Sequence, residues 1–166
     1  MMSPLLAFTP RRASLLVGSL SAAMLVAVLV MQYGFGADPC QLCIWQRYPH
    51  VALVLLGIVG YLAWPRRALL AAGAVALGSA GLALYHLGIE QGFWALPAGC
   101  VAGGEAETVD ELRRLLMESP PACDQVSFTL LGLSLALWNA GASLLLAVLA
   151  LLGLTEPVRA VRRVAQ

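Results

Sequence analysis

The chain has 166 residues, of which 60% are hydrophobic and 11% charged, and a net charge of +1; its mean hydropathy is +0.83. Soluble globular domains carry about 25% charged residues, so this composition excludes one and points to a membrane-embedded chain. A balance so close to neutral also excludes the basic field that nucleic acid requires.

Four apolar stretches are long enough to cross a hydrocarbon core of about 30 Å at about 1.5 Å per residue. The first, Ala13–Met31, follows Arg11-Arg12 and so resembles a secretion signal. A cleavable signal has an apolar region of only about 7–15 residues. This stretch is longer, and Gly34-Phe35-Gly36 is a poor cleavage context, so the segment is expected to stay as a span.

The segment 32–43 ends in Cys40-Gln41-Leu42-Cys43, a pair close enough in sequence to close its own disulfide. Span two is expected at Ile44–Trp64, because a start at Val51 would leave it too short to cross. Pro49 then falls inside the helix as a kink. Cys43 would sit at the helix N-terminus, where free N–H groups and the dipole favour a thiolate. Arg47, four residues on, shares that face and could lower the thiol's pKa or hold an anionic form of a bound ligand. Trp45 and Tyr48 read as interfacial belt residues.

A turn at 65–67 carries Arg66 and Arg67 and leads to span three, Ala68–Ile89. His86 and Glu90, four apart near its end, are the kind of deep ionisable groups that face a bundle interior or a cavity. The second polar loop, 90–127, holds Cys100 in the glycine-rich run Pro97–Gly104, open to a partner protein, and later Cys123. Between them, Thr108-Val109-Asp110-Glu111 has the form of a capping box. Val109, Leu112, Leu115 and Leu116 follow at helical spacing until Pro120-Pro121, which predicts a short amphipathic helix on the membrane surface. Span four is expected at Phe128–Leu154, with Asn139 as a hydrogen-bonding link between helices.

The whole reads as a single all-α domain: a four-transmembrane-helix bundle with two outer loops, the second carrying the short helix. Arg11, Arg12, Arg66, Arg67, Arg159, Arg162 and Arg163 fall on one side, against Arg47, Arg113 and Arg114 on the other. The positive-inside rule therefore predicts cytoplasmic termini and turn, with both cysteine loops outside. In a bacterial inner membrane that side is the periplasm, where disulfides persist. All four cysteines lie in loops and none in a span interior, which argues against cysteines used as apolar filler. A four-cysteine zinc site usually shows two Cys-x-x-Cys knuckles. The second pair is not one, and His50 and His86 both read as lying inside spans, so no metal is expected.

With Pro39-Cys40-Gln41-Leu42-Cys43-Ile44-Trp45-Gln46-Arg47 in view, the chain resembles the bacterial DsbB family over nearly its whole length. The four spans, the second-loop cysteines and Tyr85-His86 near the end of span three fit the same pattern. The resemblance implies an inner-membrane oxidoreductase that reoxidises a DsbA-like periplasmic dithiol oxidase and passes the electrons to a quinone, ubiquinone or menaquinone. It implies redox-active disulfides Cys40–Cys43 and Cys100–Cys123. Cys100 would receive the partner, Cys123 would exchange with Cys40, and Cys43 would meet the quinone beside Arg47 and His86. The alternatives are a paralogue with a dedicated partner, a quinone-linked oxidoreductase of vitamin K epoxide reductase type, and a non-enzymatic four-span metal-binding or scaffold protein. The last would not accept electrons from a reduced partner.

Overall fold

The computed structural model describes residues 9–100, 108–118, 120–126 and 128–164. Among them, four helical segments are long and apolar enough to cross a membrane: Pro10–Phe35, Gln41–Leu62, Pro65–Glu90 and Leu135–Thr155. The first helix, α1 (Pro10–Phe35), starts where Thr9 accepts a hydrogen bond from the Arg12 backbone N–H and Pro10 opens the first turn.

The second crossing departs from the sequence expectation. Its helix begins at Gln41 rather than Ile44, as α2 (Gln41–Trp45), and resumes as α3 (Arg47–Leu62) after Gln46. The cause is Pro49, which has no N–H to donate to the Trp45 carbonyl and whose ring crowds that oxygen. Breaking at Gln46 makes Pro49 a first-turn residue of α3, where an N–H would lack an intrahelical partner anyway.

The expected turn at 65–67 is also corrected. Pro65, Arg66 and Arg67 form the first turn of α4 (Pro65–Glu90), leaving Ala63 and Trp64 as the link. Proline suits the first helical position because its φ is preset and its missing N–H costs nothing there.

In the second loop, α5 (Val109–Glu118) begins as the capping box requires, with the Glu111 N–H donating to Thr108 Oγ1 at 3.2 Å. The run Val101–Gly104 and the side chains of Leu112, Leu115 and Leu116 lie outside the described residues. Cys100 ends a single 3-10 turn at Ala98–Cys100.

The fourth long helix, α6 (Leu135–Val164), starts at Leu135 rather than Phe128. The residues before it form a small antiparallel hairpin, β1 (Thr129–Leu130) and β2 (Leu133–Ser134), with Thr129 opposite Ser134 and Leu130 opposite Leu133. Leu131 and Gly132 make its turn at φ 54° and 78°. Two successive left-handed residues are what a two-residue hairpin turn needs. Ser134 then caps α6, accepting from the Leu137 N–H at 3.3 Å.

The long helices close a ring in which α1 packs on α3, α3 on α4, α4 on α6 and α6 on α1. The core is built from small and aliphatic residues, including Ala13, Val17, Leu53, Leu69, Ala72, Ala76, Leu146, Ala147 and Ala150. Lipid is as apolar as leucine, so close van der Waals packing rather than hydrophobic exclusion holds such helices together. Gly57 shows how close: a Cβ there would meet the Gly18 Cα at 2.6 Å. Exposed aromatics gather at both ends of the crossings, Tyr33, Phe35, Trp45 and Tyr48 at one and Tyr61 and Trp64 at the other, as interfacial belts do.

Candidate functional site

At the end of the bundle that carries the second loop, Cys40 caps α2 in an extended conformation. Its Sγ accepts the Cys43 backbone N–H at 3.2 Å, so one free amide of this helix start serves Cys40. Cys43 lies on the helix's first turn, with its sulfur 2.6 Å from that of Cys40. The expectation had put Cys43 itself at the terminus. The difference follows from the earlier helix start.

Cys100 and Cys123 are joined in a disulfide, and the Cys123 N–H donates to the Cys100 carbonyl at 3.1 Å. Both are buried. They pack in one cluster with Cys40, Leu42 and Ile89, and Cys43 borders that cluster. Two pairs far apart in sequence thus meet at one place. Trp94, after the end of α4, stacks on Tyr85 with ring centroids 5.4 Å apart.

His86 stands between the pairs. Its Nε2 lies 3.5 Å from Cys40 Sγ and 3.8 Å from Glu90 Oε1. Its Nδ1 lies 3.1 Å from Gln46 Nε2. In the reduced protein the Cys40 thiol is held below the ordinary thiol range, first by the hydrogen bond from Cys43 and further by His86, against burial, which pushes it up. His86, read from the sequence as lying inside span three, thus reaches the cysteines from the end of α4. Cys40, Cys43 and His86 offer three ligand atoms within 4.8 Å of one another.

Cys43 faces a second feature. A cleft of about 320 Å³ runs between α1, the α2–α3 crossing and α6. Met24, Val28, Leu135 and Trp138 give it apolar walls, while Cys43, Arg47, His50, His86, Glu90 and Asn139 are among its polar groups. Small-molecule sites have this character, at roughly 300–1,000 Å³ with few polar groups. Arg47 and His86, singled out from the sequence, both line it. Among the described residues no hydrogen bond or ion pair holds the Arg47 guanidinium.

Sequence reasoning missed Gln46, which braces His86, and the place of His50 and Asn139 in the cleft wall. Spacing carried a partial signal, since Cys43, Arg47 and His50 recur at four and three residues and so share a helix face. Asn139 does link helices as expected, through His50 Nε2 at 2.8 Å.

A multi-pass helical bundle that brings a disulfide together with a second cysteine pair is the arrangement expected of a disulfide-forming membrane protein. Comparison with known proteins gives the family. The model for "Disulfide bond formation protein DsbB" matches residues 10–153. Disulfide bond formation protein B of Aromatoleum aromaticum is 29% identical, over 88% of this chain and 93% of its own. Disulfide bond formation protein B 2 of Pseudomonas aeruginosa is 36% identical, over 70% and 73%. Disulfide bond formation protein B of Xanthomonas campestris is 31% identical, over 77% and 81%. No solved structure matches the chain significantly. The chain belongs to the DsbB family.

Proposed function

We propose that this protein is the bacterial inner-membrane oxidase that recharges a DsbA-like periplasmic dithiol oxidase and hands the electrons to a membrane quinone. One observation carries the reading: Cys40 is clustered with the Cys100–Cys123 disulfide, while its neighbour Cys43 lines an apolar cleft with Arg47 and His86. A relay needs that division, one sulfur toward the protein partner and one toward the electron acceptor.

Each exchange breaks one S–S bond and makes another. A thiolate of the reduced partner attacks Cys100, forming a mixed disulfide and releasing the Cys123 thiolate. The partner's second thiolate then resolves that bond and leaves oxidised. Cys123 attacks Cys40 in an oxidised Cys40–Cys43 pair, which releases Cys43 as a thiolate at the cleft. Arg47, which lines the same cleft, is the cation available to that anion. Reclosure of Cys100–Cys123 and of Cys40–Cys43 completes the cycle once two electrons have gone. A quinone supplies the acceptor: dithiol plus quinone gives disulfide plus quinol.

The cleft fits such a head group by its volume, its apolar walls and its buried polar atoms without partners. A strong acceptor is required because a DsbA-type oxidase, at about −120 mV, is not recharged by ordinary disulfides. The side follows from the arginines: cytoplasmic termini leave both cysteine loops in the periplasm.

The test uses purified full-length protein in detergent with excess reduced DsbA-like oxidase. Added quinone should turn a stoichiometric oxidation into a catalytic one. Turnover that is indifferent to quinone, or no oxidation of the partner at all, would overturn the reading.

A further inference from the structure

The cleft has a second polar end, remote from the cysteines. His50 and Asn139 are both more than nine-tenths buried and face each other across α3 and α6. His50 Nε2 and Asn139 Oδ1 are 2.8 Å apart, so the imidazole N–H donates to the amide oxygen. Ser143 Oγ lies 3.4 Å from that oxygen and 2.9 Å from Ser79 Oγ. These contacts use the oxygen of Asn139 and the Nε2 of His50. Two atoms are left over, and both are buried without a partner: Asn139 Nδ2 and His50 Nδ1.

In a bilayer such atoms are expensive, because no water is at hand to satisfy them. A link between helices needs one hydrogen bond and leaves these two unexplained. Their chemistry is complementary: the amide N–H is a donor and the neutral imidazole Nδ1 an acceptor. An oxygen that alternates between carbonyl and hydroxyl needs one group of each kind. As a carbonyl it would accept from Asn139; as a hydroxyl it would donate to His50.

Position fits as well. His50 follows Cys43 by seven residues, two helical turns, or about 10 Å along the axis, and both line the same cleft. A six-membered ring lying between them would have one oxygen near Cys43 and Arg47 and the other near His50 and Asn139. We infer that His50 and Asn139 form the distal binding pair for the quinone, holding the carbonyl farther from Cys43 and its hydroxyl after reduction. The inference rests on the proposed function, since it presumes a quinone in the cleft.

Infrared spectroscopy tests it on full-length protein in detergent. The probe is a short-chain benzoquinone carrying ¹³C at one carbonyl or at the other. In the wild type both carbonyl bands should shift down from their positions in empty micelles. Asn139→Leu should return one band to its free position, while Arg47→Ala returns the other. The dissociation constant in Asn139→Leu should rise roughly 2- to 12-fold, the cost of one hydrogen bond.

A wild-type spectrum with only one lowered carbonyl overturns the inference, even if the leucine variant fails to fold. So does a folded Asn139→Leu protein in which both bands stay lowered. Absence of saturable quinone binding to the wild type is a different result. It removes the proposed function first, and this pair's role with it.

Discussion

At the scale of single residues, the contrast between Arg47 and His86 is informative. Arg47 lines the cleft one turn beyond Cys43, so its removal should act on the quinone step alone. Arg47→Ala should raise the apparent KM for quinone about 10- to 150-fold, the effect of losing a charge-assisted contact worth roughly 1.5–3 kcal/mol. Thiol exchange between the partner and Cys100–Cys123 should persist. Unchanged quinone kinetics with falling protein levels would make Arg47 a lipid anchor. His86 acts on the sulfurs, so its readout is a pH profile. A lowered thiol pKa keeps the thiolate present at pH values where an ordinary thiol, near about 8.5, is protonated. Iodoacetamide should therefore modify the reduced Cys40–Cys43 pair at pH 7 faster than a free cysteine. His86→Leu should move the inflection upward, because it removes a hydrogen bond that lowers Cys40. An inflection in the ordinary range in both proteins would contradict this. The Cys-x-x-Cys and Arg47 were legible because their relation is local. The contact of His86 with Cys40 was not, since it depends on how α4 packs against α2.

At the scale of elements, local chemistry explains both the successes and the errors of the sequence reading. Four long apolar runs announced four crossings. Helix starts were harder, because proline and glycine punctuation is hidden inside apolar stretches. Pro49 read as an interior kink, and the helix does break just ahead of it, at Gln46, which makes the proline a tolerated first-turn residue; the start, Gln41 rather than Ile44, is what the sequence misplaced. Phe128–Ser134 looked like membrane helix by hydropathy, but Leu131-Gly132 takes a left-handed turn and folds it into a hairpin. Helix faces made of small residues carry their own prediction. A side chain at Gly57 would collide with the Gly18 backbone, so Gly57→Val should force α1 and α3 apart. Overpacking of this sort costs about 1–3 kcal/mol. A lower midpoint of thermal unfolding in detergent would be the sign, and Gly78→Ala, where no atom lies in the way, is the control. Equal midpoints would mean that the two helices are not held at this distance.

At the scale of the whole molecule, sidedness and burial decide what the relay can do. Reporter fusions after Gly36, Arg67 and Gly104 should read outside, inside and outside, as the arginine distribution requires. A cytoplasmic Gly104 would leave the second pair in a reducing compartment and end the disulfide-relay account. Cys100 and Cys123 are buried at the end of the bundle. That burial packs the bond against Cys40 and so joins the two pairs. Order of exchange is thus the central claim: Cys40 takes the disulfide from the second loop and Cys43 is the sulfur released to the cleft. The direct measurement is disulfide mapping of quinone-free wild-type protein, mixed with a DsbA-like partner that retains only its attacking cysteine. After rapid alkylation and non-reducing digestion, the account predicts partner–Cys100 and Cys40–Cys123 linkages, with alkylated Cys43. A Cys43–Cys123 linkage with alkylated Cys40 would contradict it.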